Sequence, residues 1–153
     1  MSKKKRLFWY SFFGVIILMQ VYPVEQPEVK KDNPNDLLVN TEMSNDVAVM
    51  LKSACYDCHS NETVYPWYSY VAPVKWLVYR DTRDGREELN FSNWNEMSKM
   101  DQATALSDIS DEVLAGDMPM KIYPIMHAEA KLSDEDRQAI ADWADELTEA
   151  LFD

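Results

Sequence analysis

Apolar side chains at helical spacing indicate where the folded part of this chain begins. Within 46–54 they stand at i, i+3, i+4 and i+7, which places them on one face of a helix. Ser44 or Asn45 can cap its start. The stretch 61–79 is dense in aromatic residues and prolines, which predicts a loop that passes into a helix over 73–83.

The second half of the chain predicts three more helices. They cover 93–100, then 101–115 with Gly116 at its end, and a last helix that Ser133 caps, with Asp136 placed as in a capping box. The apolar stripe of that last helix consists of Ile140, Trp143, Ala144, Leu147 and Leu151. Because strict alternation of apolar and polar residues is absent and the chain has only three glycines, the predicted fold class is all-α.

The start of the chain resembles an export signal. Four basic residues at 3–6 precede an apolar run over 7–22, which is near the short end for a membrane span. Small residues that would suit a cleavage site are absent after the run, so we predict an uncleaved signal-anchor over 1–24, with a cleaved signal peptide as the alternative. The basic residues favour the cytoplasm, which predicts a single-pass protein of the cytoplasmic (inner) membrane whose C-terminal domain faces the periplasm.

The stretch 25–45 is rich in Pro, Asn, Asp, Glu and Lys. This composition predicts a flexible linker with a typical end-to-end distance of roughly 25 Å. The predicted organisation is therefore a transmembrane segment (1–24), a linker (25–45) and one small folded domain (46–153).

The two cysteines of the chain lie in the sequence C-Y-D-C-H at 55–59. Two thiols three positions apart on one helical turn can each bond a vinyl group of one haem, and the histidine behind them can bind the iron. We therefore predict one covalently attached haem c per chain, held by Cys55 and Cys58, with His59 as an axial ligand of the iron. Bacteria attach haem to such motifs outside the cytoplasm, which agrees with the predicted export.

Three other kinds of site use such cysteine pairs. A thioredoxin-like redox pair needs a preceding strand and a βαβ unit, which the sequence pattern does not contain. A structural zinc site needs four ligands at compact spacing, whereas the fourth candidate beside Cys55, Cys58 and His59 is the distant His127. A disulfide between the two cysteines would close a very small loop. Covalent haem fits the spacing best.

The sixth coordination position of the iron is predicted to be filled by Met118. Gly116 stops the preceding helix and Pro119 pushes Met118 towards extended geometry, so its thioether is presented on a stiff segment. A thioether opposite an imidazole is the ligand pair of cytochromes c. Methionine also commonly fills gaps in protein cores. The other candidates for this position are Met120, Met126 and His127.

A haem also needs apolar walls and partners for its two propionates. The predicted wall residues are Trp67, Val71, Pro73, Trp76 and Leu77. Arg80, Arg83 and Arg86 are candidate propionate partners, because guanidinium binds carboxylates in a bidentate manner. Acidic residues close to them in sequence favour ordinary surface ion pairs for each arginine instead.

The charge of the chain narrows its range of partners. After residue 24 the chain has 27 acidic and 11 basic residues, a net charge of −16. Such a surface disfavours nucleic acid and anionic headgroups, and no small-molecule substrate is predicted. The charge fits ordinary solubility, and it also fits electrostatic docking onto basic redox partner proteins of a respiratory chain.

Together these motifs resemble a known family. The sequence over 51–151 is similar to the small bacterial haem-binding domain proteins with a single c-type haem. The matching stretches are C-Y-D-C-H-S-N-E-T at 55–63, Y-P-W-Y-S-Y-V-A-P-V at 65–74, N-F-S-N-W at 90–94 and M-H-A-E-A-K-L-S at 126–133. The resemblance implies haem binding, an N-terminal membrane anchor and electron transfer, and the family's Met-Pro pair near the same place supports Met118. Lys75 departs from the family pattern, where a small polar residue is expected, and is interpreted as surface variation.

The resulting prediction is a membrane-tethered monohaem c-type cytochrome. A small cytochrome c-like helical domain would surround the haem and transfer electrons, and the protein would not be an enzyme. One alternative is a haem-based sensor or ligand-binding module with an open or weakly held sixth site. Another is a non-catalytic subunit of a larger complex. A cytochrome peroxidase is the least favoured, because that chemistry generally uses a second haem and the chain has one C-x-x-C-H motif.

Overall fold

The computed structural model describes residues 2–153, and every regular element within them is a helix, which confirms the all-α prediction. The α-helices are α1 (Lys3–Val21), α2 (Leu37–Asn40), α3 (Asn45–Ala54), α4 (Tyr56–His59), α5 (Val74–Glu88), α6 (Lys99–Ala115), α7 (Tyr123–Met126) and α8 (Asp134–Ala150). Three 3₁₀ helices, Trp67–Tyr70, Phe91–Glu96 and Ala128–Ala130, lie between them in this part of the chain.

Polar caps delimit the long helices at the positions that the sequence predicts. Ser44 accepts a hydrogen bond from the backbone N–H of Val47 at 3.2 Å and so caps α3. Ser133 and Asp136 form the expected capping box at the start of α8. Gly116 ends α6 at φ 76°, in the left-handed region that favours glycine.

The region predicted as one helix over 93–100 is divided instead. The side chain of Asn90 accepts a hydrogen bond from the N–H of Ser92 at 3.1 Å and starts a 3₁₀ helix that ends at Glu96. Ser98 then caps α6 by accepting from the N–H of Asp101 at 3.1 Å. Two local caps eight residues apart therefore separate the chain into a tight turn and a new helix.

The hydrophobic core lies between α3, α6, α8 and the 3₁₀ helix Phe91–Glu96. Its fully or almost fully buried large side chains include Leu37, Leu51, Trp94, Leu106 and Ile140. The motif helix α4 follows directly on α3 and packs against α5. The core thus holds the C-Y-D-C-H motif through α3, and α5 covers it from the other side.

The segment 25–45 packs onto the helical domain, which differs from the flexible linker predicted there. Leu37 of α2 is completely buried, and the adjacent Asp36 is 3% exposed. The Asp36 carboxylate accepts hydrogen bonds from the Tyr56 hydroxyl at 2.7 Å, from the Ser92 hydroxyl at 3.2 Å and from the N–H of Leu38 at 2.9 Å. These donors stabilise a buried charge, so a stretch of polar composition becomes part of the fold.

The predicted membrane anchor over 1–24 is wrong. The apolar run lies in α1, which has 19 residues and includes the four basic side chains at 3–6. The remaining 15 helical residues span about 22 Å, shorter than the roughly 30 Å of a hydrocarbon core. Among residues 2–153, no helix combines the length and apolar character needed to cross a membrane. The predicted localisation, a single-pass inner-membrane protein with a periplasmic domain, is corrected with it.

The C-terminal end of α1 is attached to the segment that leads into α5. Gln20 and Ala72 exchange two hydrogen bonds, of 3.2 and 3.3 Å, between the Gln20 amide and the backbone of Ala72. The ammonium group of Lys75 donates to the carbonyl oxygens of Gln20 at 2.9 Å and of Tyr22 at 3.4 Å. A cation at the carbonyl end of a helix is stabilising. The side chain of Lys75 therefore binds the end of α1.

Candidate functional site

The C-Y-D-C-H motif folds as a single helical turn at the end of α3. The helix stops at Ala54, and Cys55, with φ −123° and ψ −39°, leads into α4. The carbonyl oxygen of Cys55 accepts hydrogen bonds from the N–H of Cys58 at 3.1 Å and from the N–H of His59 at 2.9 Å. Both cysteines are free and half-buried. One turn therefore brings the two thiols and the imidazole together, as the spacing of the motif predicts.

His59 is held in the form that binds a metal. Its Nδ1 lies 3.2 Å from the carbonyl oxygen of Leu89. Because a carbonyl oxygen only accepts hydrogen bonds, Nδ1 is the protonated nitrogen and Nε2 keeps its lone pair. Burial lowers the pKa of His59 below its usual value, which favours the neutral ring. A neutral imidazole with Nδ1–H bound to a carbonyl and Nε2 free is the usual state of a histidine ligand.

The two thiols are protonated near neutral pH. Burial raises the pKa of Cys55 to about 12 and that of Cys58 to about 11. A zinc site needs deprotonated thiols and further ligands nearby. Within residues 2–153, no three His, Cys, Asp or Glu side chains are grouped so that they could hold a metal ion. Both cysteines are free in this structure.

Asp57, between the two cysteines, joins the motif to two other segments. Its Oδ1 accepts a hydrogen bond from the N–H of Val64 at 2.8 Å, and its carbonyl oxygen accepts from the hydroxyl of Thr63 at 2.8 Å. Its Oδ2 accepts from the hydroxyl of Tyr123 at 2.7 Å. The motif turn is thus bound to the loop that follows it and to α7.

Arg86 supports the same loop from α5. Its Nε donates to the carbonyl oxygen of Ser60 at 2.7 Å, and its Nη2 donates to the hydroxyl of Thr63 at 2.8 Å. Its Nη1 donates to the carbonyl oxygen of Glu28 at 2.7 Å. The guanidinium therefore binds groups of the protein itself instead of being left for a propionate.

The other two arginines proposed for propionates also bind protein groups. Arg80 is an exposed side chain that pairs with Asp81 at 2.8 Å. Arg83 is exposed and donates to the carbonyl oxygen of Glu25 at 3.4 Å. Arg80 therefore makes the kind of surface ion pair considered as the alternative, whereas Arg83 binds a backbone carbonyl.

Gly85, inside α5, allows that helix to lie directly against the motif. A Cβ at this position would stand 2.9 Å from the carbonyl oxygen of Cys58 and 3.2 Å from its Cβ. Glycine inside a helix costs about 1 kcal/mol relative to alanine. The close approach of α5 to the C-Y-D-C-H motif explains why this position has no side chain.

Replacing Gly85 with alanine is expected to destabilise the protein, although alanine is the better helix former. The added methyl meets backbone atoms, so α5 must move away from the motif turn at a cost of about 2 kcal/mol, which exceeds the propensity gain of about 1 kcal/mol. The measurement is the thermal unfolding midpoint of the holoprotein. Gly14→Ala is the matched control, because a Cβ there meets nothing within 4 Å. A Gly85→Ala protein as stable as Gly14→Ala would contradict the close-packing explanation.

Large apolar side chains remain exposed in two segments that contact the motif region. The first precedes and enters α5 and includes Val64, Trp67, Tyr70, Val71 and Val74. The second surrounds α7 and includes Ile122, Ile125 and Met126. Among the predicted wall residues, Pro73 is also exposed, while Trp76 and Leu77 are half-buried. These side chains provide apolar surface beside the motif that a bound apolar group could cover.

Met118 lies outside α6, as its neighbours in the sequence predict. Its N–H donates to the carbonyl oxygen of Glu112 at 3.2 Å, and its own carbonyl oxygen accepts from Nη1 of Arg137 at 2.7 Å. Its side chain is half-buried and packs against the hydrophobic core. The backbone of Met118 is therefore held by both α6 and α8.

The other candidates for the sixth position differ in their surroundings. Met120 is half-buried, and Met126 is exposed. His127 uses both of its ring nitrogens, because Nε2 accepts from the hydroxyl of Tyr68 at 2.5 Å and Nδ1 lies 3.3 Å from Oε1 of Glu129. His127 is therefore engaged within the protein.

Sequence reasoning missed four residues that shape this site: Asp57, Gly85, Leu89 and Tyr123. Gly85 could have been found, because a glycine inside a helical stretch suggests close packing. Leu89 acts through its backbone carbonyl, which no residue type reveals. The pairing of Asp57 with Tyr123 joins residues that are 66 positions apart and requires the fold.

A comparison with protein families finds one whose model matches most of the chain. The model of the haem-binding domain family matches residues 14–146, a range that contains the C-Y-D-C-H motif, Met118 and α7. The comparisons with curated proteins and with solved structures found no match. The resemblance drawn from the motifs is confirmed. The chain belongs to the haem-binding domain family.

Proposed function

We propose that this haem-binding protein attaches one haem c covalently and transfers electrons through it. The observation that carries the proposal is the position of His59 beside two free thiols on one helical turn, with Nδ1 of its ring bound to the Leu89 carbonyl. This turn supplies two thiols for the vinyl groups and one nitrogen for the iron. The exposed apolar side chains around it supply surface that a haem would cover.

Cys55 and Cys58 are proposed to hold the haem through thioether bonds. Each thiol adds across one vinyl double bond. Its sulfur bonds to one vinyl carbon and its hydrogen passes to the other, so no external oxidant or reductant is consumed. Both cysteines are free, so each sulfur is available for this addition.

His59 and Met118 are the proposed axial ligands. His59 has the right tautomer, with its lone pair on Nε2. Met118 is held on both sides by backbone hydrogen bonds, to α6 and from Arg137 of α8. The bound group supplies one-electron chemistry between ferric and ferrous iron, and a thioether opposite an imidazole raises the potential of that couple. The proposed role is that of an electron carrier and not of an enzyme.

The optical spectrum of the purified holoprotein in denaturant tests the covalent attachment. Absorption that stays with the unfolded polypeptide through extraction with acidified organic solvent supports haem c. A polypeptide that becomes colourless would contradict haem c and would leave haem binding without a covalent bond.

The proposed partner is a redox protein with a basic surface. The chain after residue 24 has 27 acidic and 11 basic residues, so a basic partner is attracted to it. Raising salt from about 0.01 M to about 1 M shortens the Debye length from about 30 Å to about 3 Å. The rate of oxidation of the ferrous protein by the cation tris(phenanthroline)cobalt(III) is expected to fall over this range, measured by stopped-flow absorption. With the anion ferricyanide it is expected to rise. Rates that do not depend on the charge of the reagent would contradict electrostatic docking.

A further inference from the structure

The segment that carries Met118 is bound to the haem motif by one side-chain hydrogen bond. The Tyr123 hydroxyl donates to Oδ2 of Asp57 at 2.7 Å. We propose that Tyr123 is a positioning residue whose bond to Asp57 keeps the 118–123 segment closed over the haem site and so determines how firmly Met118 occupies the sixth position. This inference rests on the proposed ligation by Met118.

Asp57 is a fixed acceptor for this bond. It lies between the two cysteines, and its other carboxylate oxygen accepts from the N–H of Val64 at 2.8 Å. Its carbonyl oxygen accepts from the hydroxyl of Thr63 at 2.8 Å. Because these two hydrogen bonds hold Asp57 in place independently of Tyr123, a partner bound to it is held in a fixed position relative to the motif.

The ring of Tyr123 is also held in place by its neighbours. Its ring stacks on His127 with centroids 4.2 Å apart and an interplanar angle of 10°. His127 in turn accepts from the hydroxyl of Tyr68, on the loop that follows the motif. Burial, followed by the bond to Asp57, raises the pKa of Tyr123, so the hydroxyl stays a donor. The bond between Tyr123 and Asp57 is therefore a rigid connection between α7 and the motif.

The opposite end of the segment is fixed to the core. The carbonyl oxygen of Met118 accepts from Arg137, and its N–H donates to Glu112. Between this attachment and Tyr123, Lys121 and Ile122 are exposed. Within the segment Pro119 is buried, and the N–H of Tyr123 donates to the carbonyl oxygen of Met120 at 2.8 Å. Loss of the bond between Tyr123 and Asp57 therefore weakens the attachment of this segment on the side of the motif.

The strength of this connection can be read from the binding of an external ligand. Imidazole binds the ferric iron only when the proposed methionine has left, so its apparent affinity is proportional to the open fraction. Removing a hydrogen bond to a carboxylate is expected to raise that affinity about tenfold or more. A residue that merely contributed to stability would leave the imidazole affinity of the folded protein unchanged.

The test compares ferric holoprotein carrying Tyr123→Phe with the wild type in spectroscopic titrations with imidazole. Tyr10→Phe is the matched control, because Tyr10 is 65% exposed on α1, away from the motif. We expect tighter imidazole binding and faster amide hydrogen exchange over 118–127 for Tyr123→Phe, and wild-type values for Tyr10→Phe. Wild-type affinity in Tyr123→Phe would overturn the inference.

Met118→Ala separates this inference from the proposed function. If Met118→Ala binds imidazole more tightly and Tyr123→Phe does not, the ligation stands and the positioning role is refuted. If neither variant changes the affinity, the ligation is refuted and the positioning role falls with it.

Asp57→Asn provides a second variant that keeps an acceptor without the charge. Its effect on imidazole affinity is expected to be smaller than that of Tyr123→Phe. In the double variant the two effects are expected not to add, because both weaken the same bond. Additive effects would overturn the inference even if one of the single variants incorporated little haem.

Discussion

Replacing both Cys55 and Cys58 with serine is expected to give a polypeptide that releases all of its haem on denaturation. Serine is close to cysteine in size but cannot form a thioether with a vinyl group. The motif turn itself should persist, because the carbonyl oxygen of Cys55 accepts its hydrogen bonds through the backbone. The measurement is the haem absorption that remains with the unfolded chain after solvent extraction, expected to fall from one haem per chain to none.

The single variants Cys55→Ser and Cys58→Ser are the controls for this loss of haem. Each keeps one thiol and is expected to retain haem through one thioether. The absorption band of the reduced, denatured protein should then shift to longer wavelength, because one vinyl group stays conjugated with the ring. Retention of haem by the double variant after extraction would contradict attachment through these cysteines.

Replacing Met118 with alanine is expected to open the sixth coordination position. The ferrous protein should then bind carbon monoxide, and its absorption spectrum should change from low-spin to high-spin. The reduction potential should fall by on the order of 0.1 V, within the range of about 0.8 V over which axial ligands tune haem potentials. The measurements are a carbon monoxide difference spectrum and a redox titration of the purified protein.

Met120→Ala is the matched control, because Met120 is also half-buried and lies two residues away. It is expected to keep the low-spin spectrum and to exclude carbon monoxide. The opposite outcome, in which Met120→Ala opens the site and Met118→Ala does not, would transfer the ligand assignment to Met120. A five-coordinate wild-type protein would favour the alternative of a haem-based sensor.

The long helices were predictable because their limits are set locally. Ser44, Ser133 and Gly116 act on the backbone within a few residues of themselves, so their effect can be read from neighbouring positions. The predicted helix over 93–100 differs from the structure because two local caps, at Asn90 and Ser98, lie close together and each starts a separate helix. Local patterns predict a helix well when a single cap sets its start or its end.

The N-terminal third of the chain was predicted less well because average composition is a poor guide there. The stretch 25–45 is polar on average, yet it contributes Leu37 to the core and buries the carboxylate of Asp36. The apolar run over 7–22 lies in a 19-residue helix that also includes four cations, and no helix among residues 2–153 is long and apolar enough to cross a membrane. Neither outcome follows from composition alone, because each depends on which residues share one helix or one buried contact.

The chemistry of the candidate site is present in five consecutive residues, since the two thiols and the imidazole of C-Y-D-C-H need only one helical turn to come together. Their environment comes from contacts between distant segments. The Leu89 carbonyl selects the tautomer of His59, Gly85 admits α5 against Cys58, and Tyr123 reaches Asp57. A backbone carbonyl, a missing side chain and a long-range hydrogen bond leave no periodic pattern along the chain, so only the packed tertiary structure reveals them.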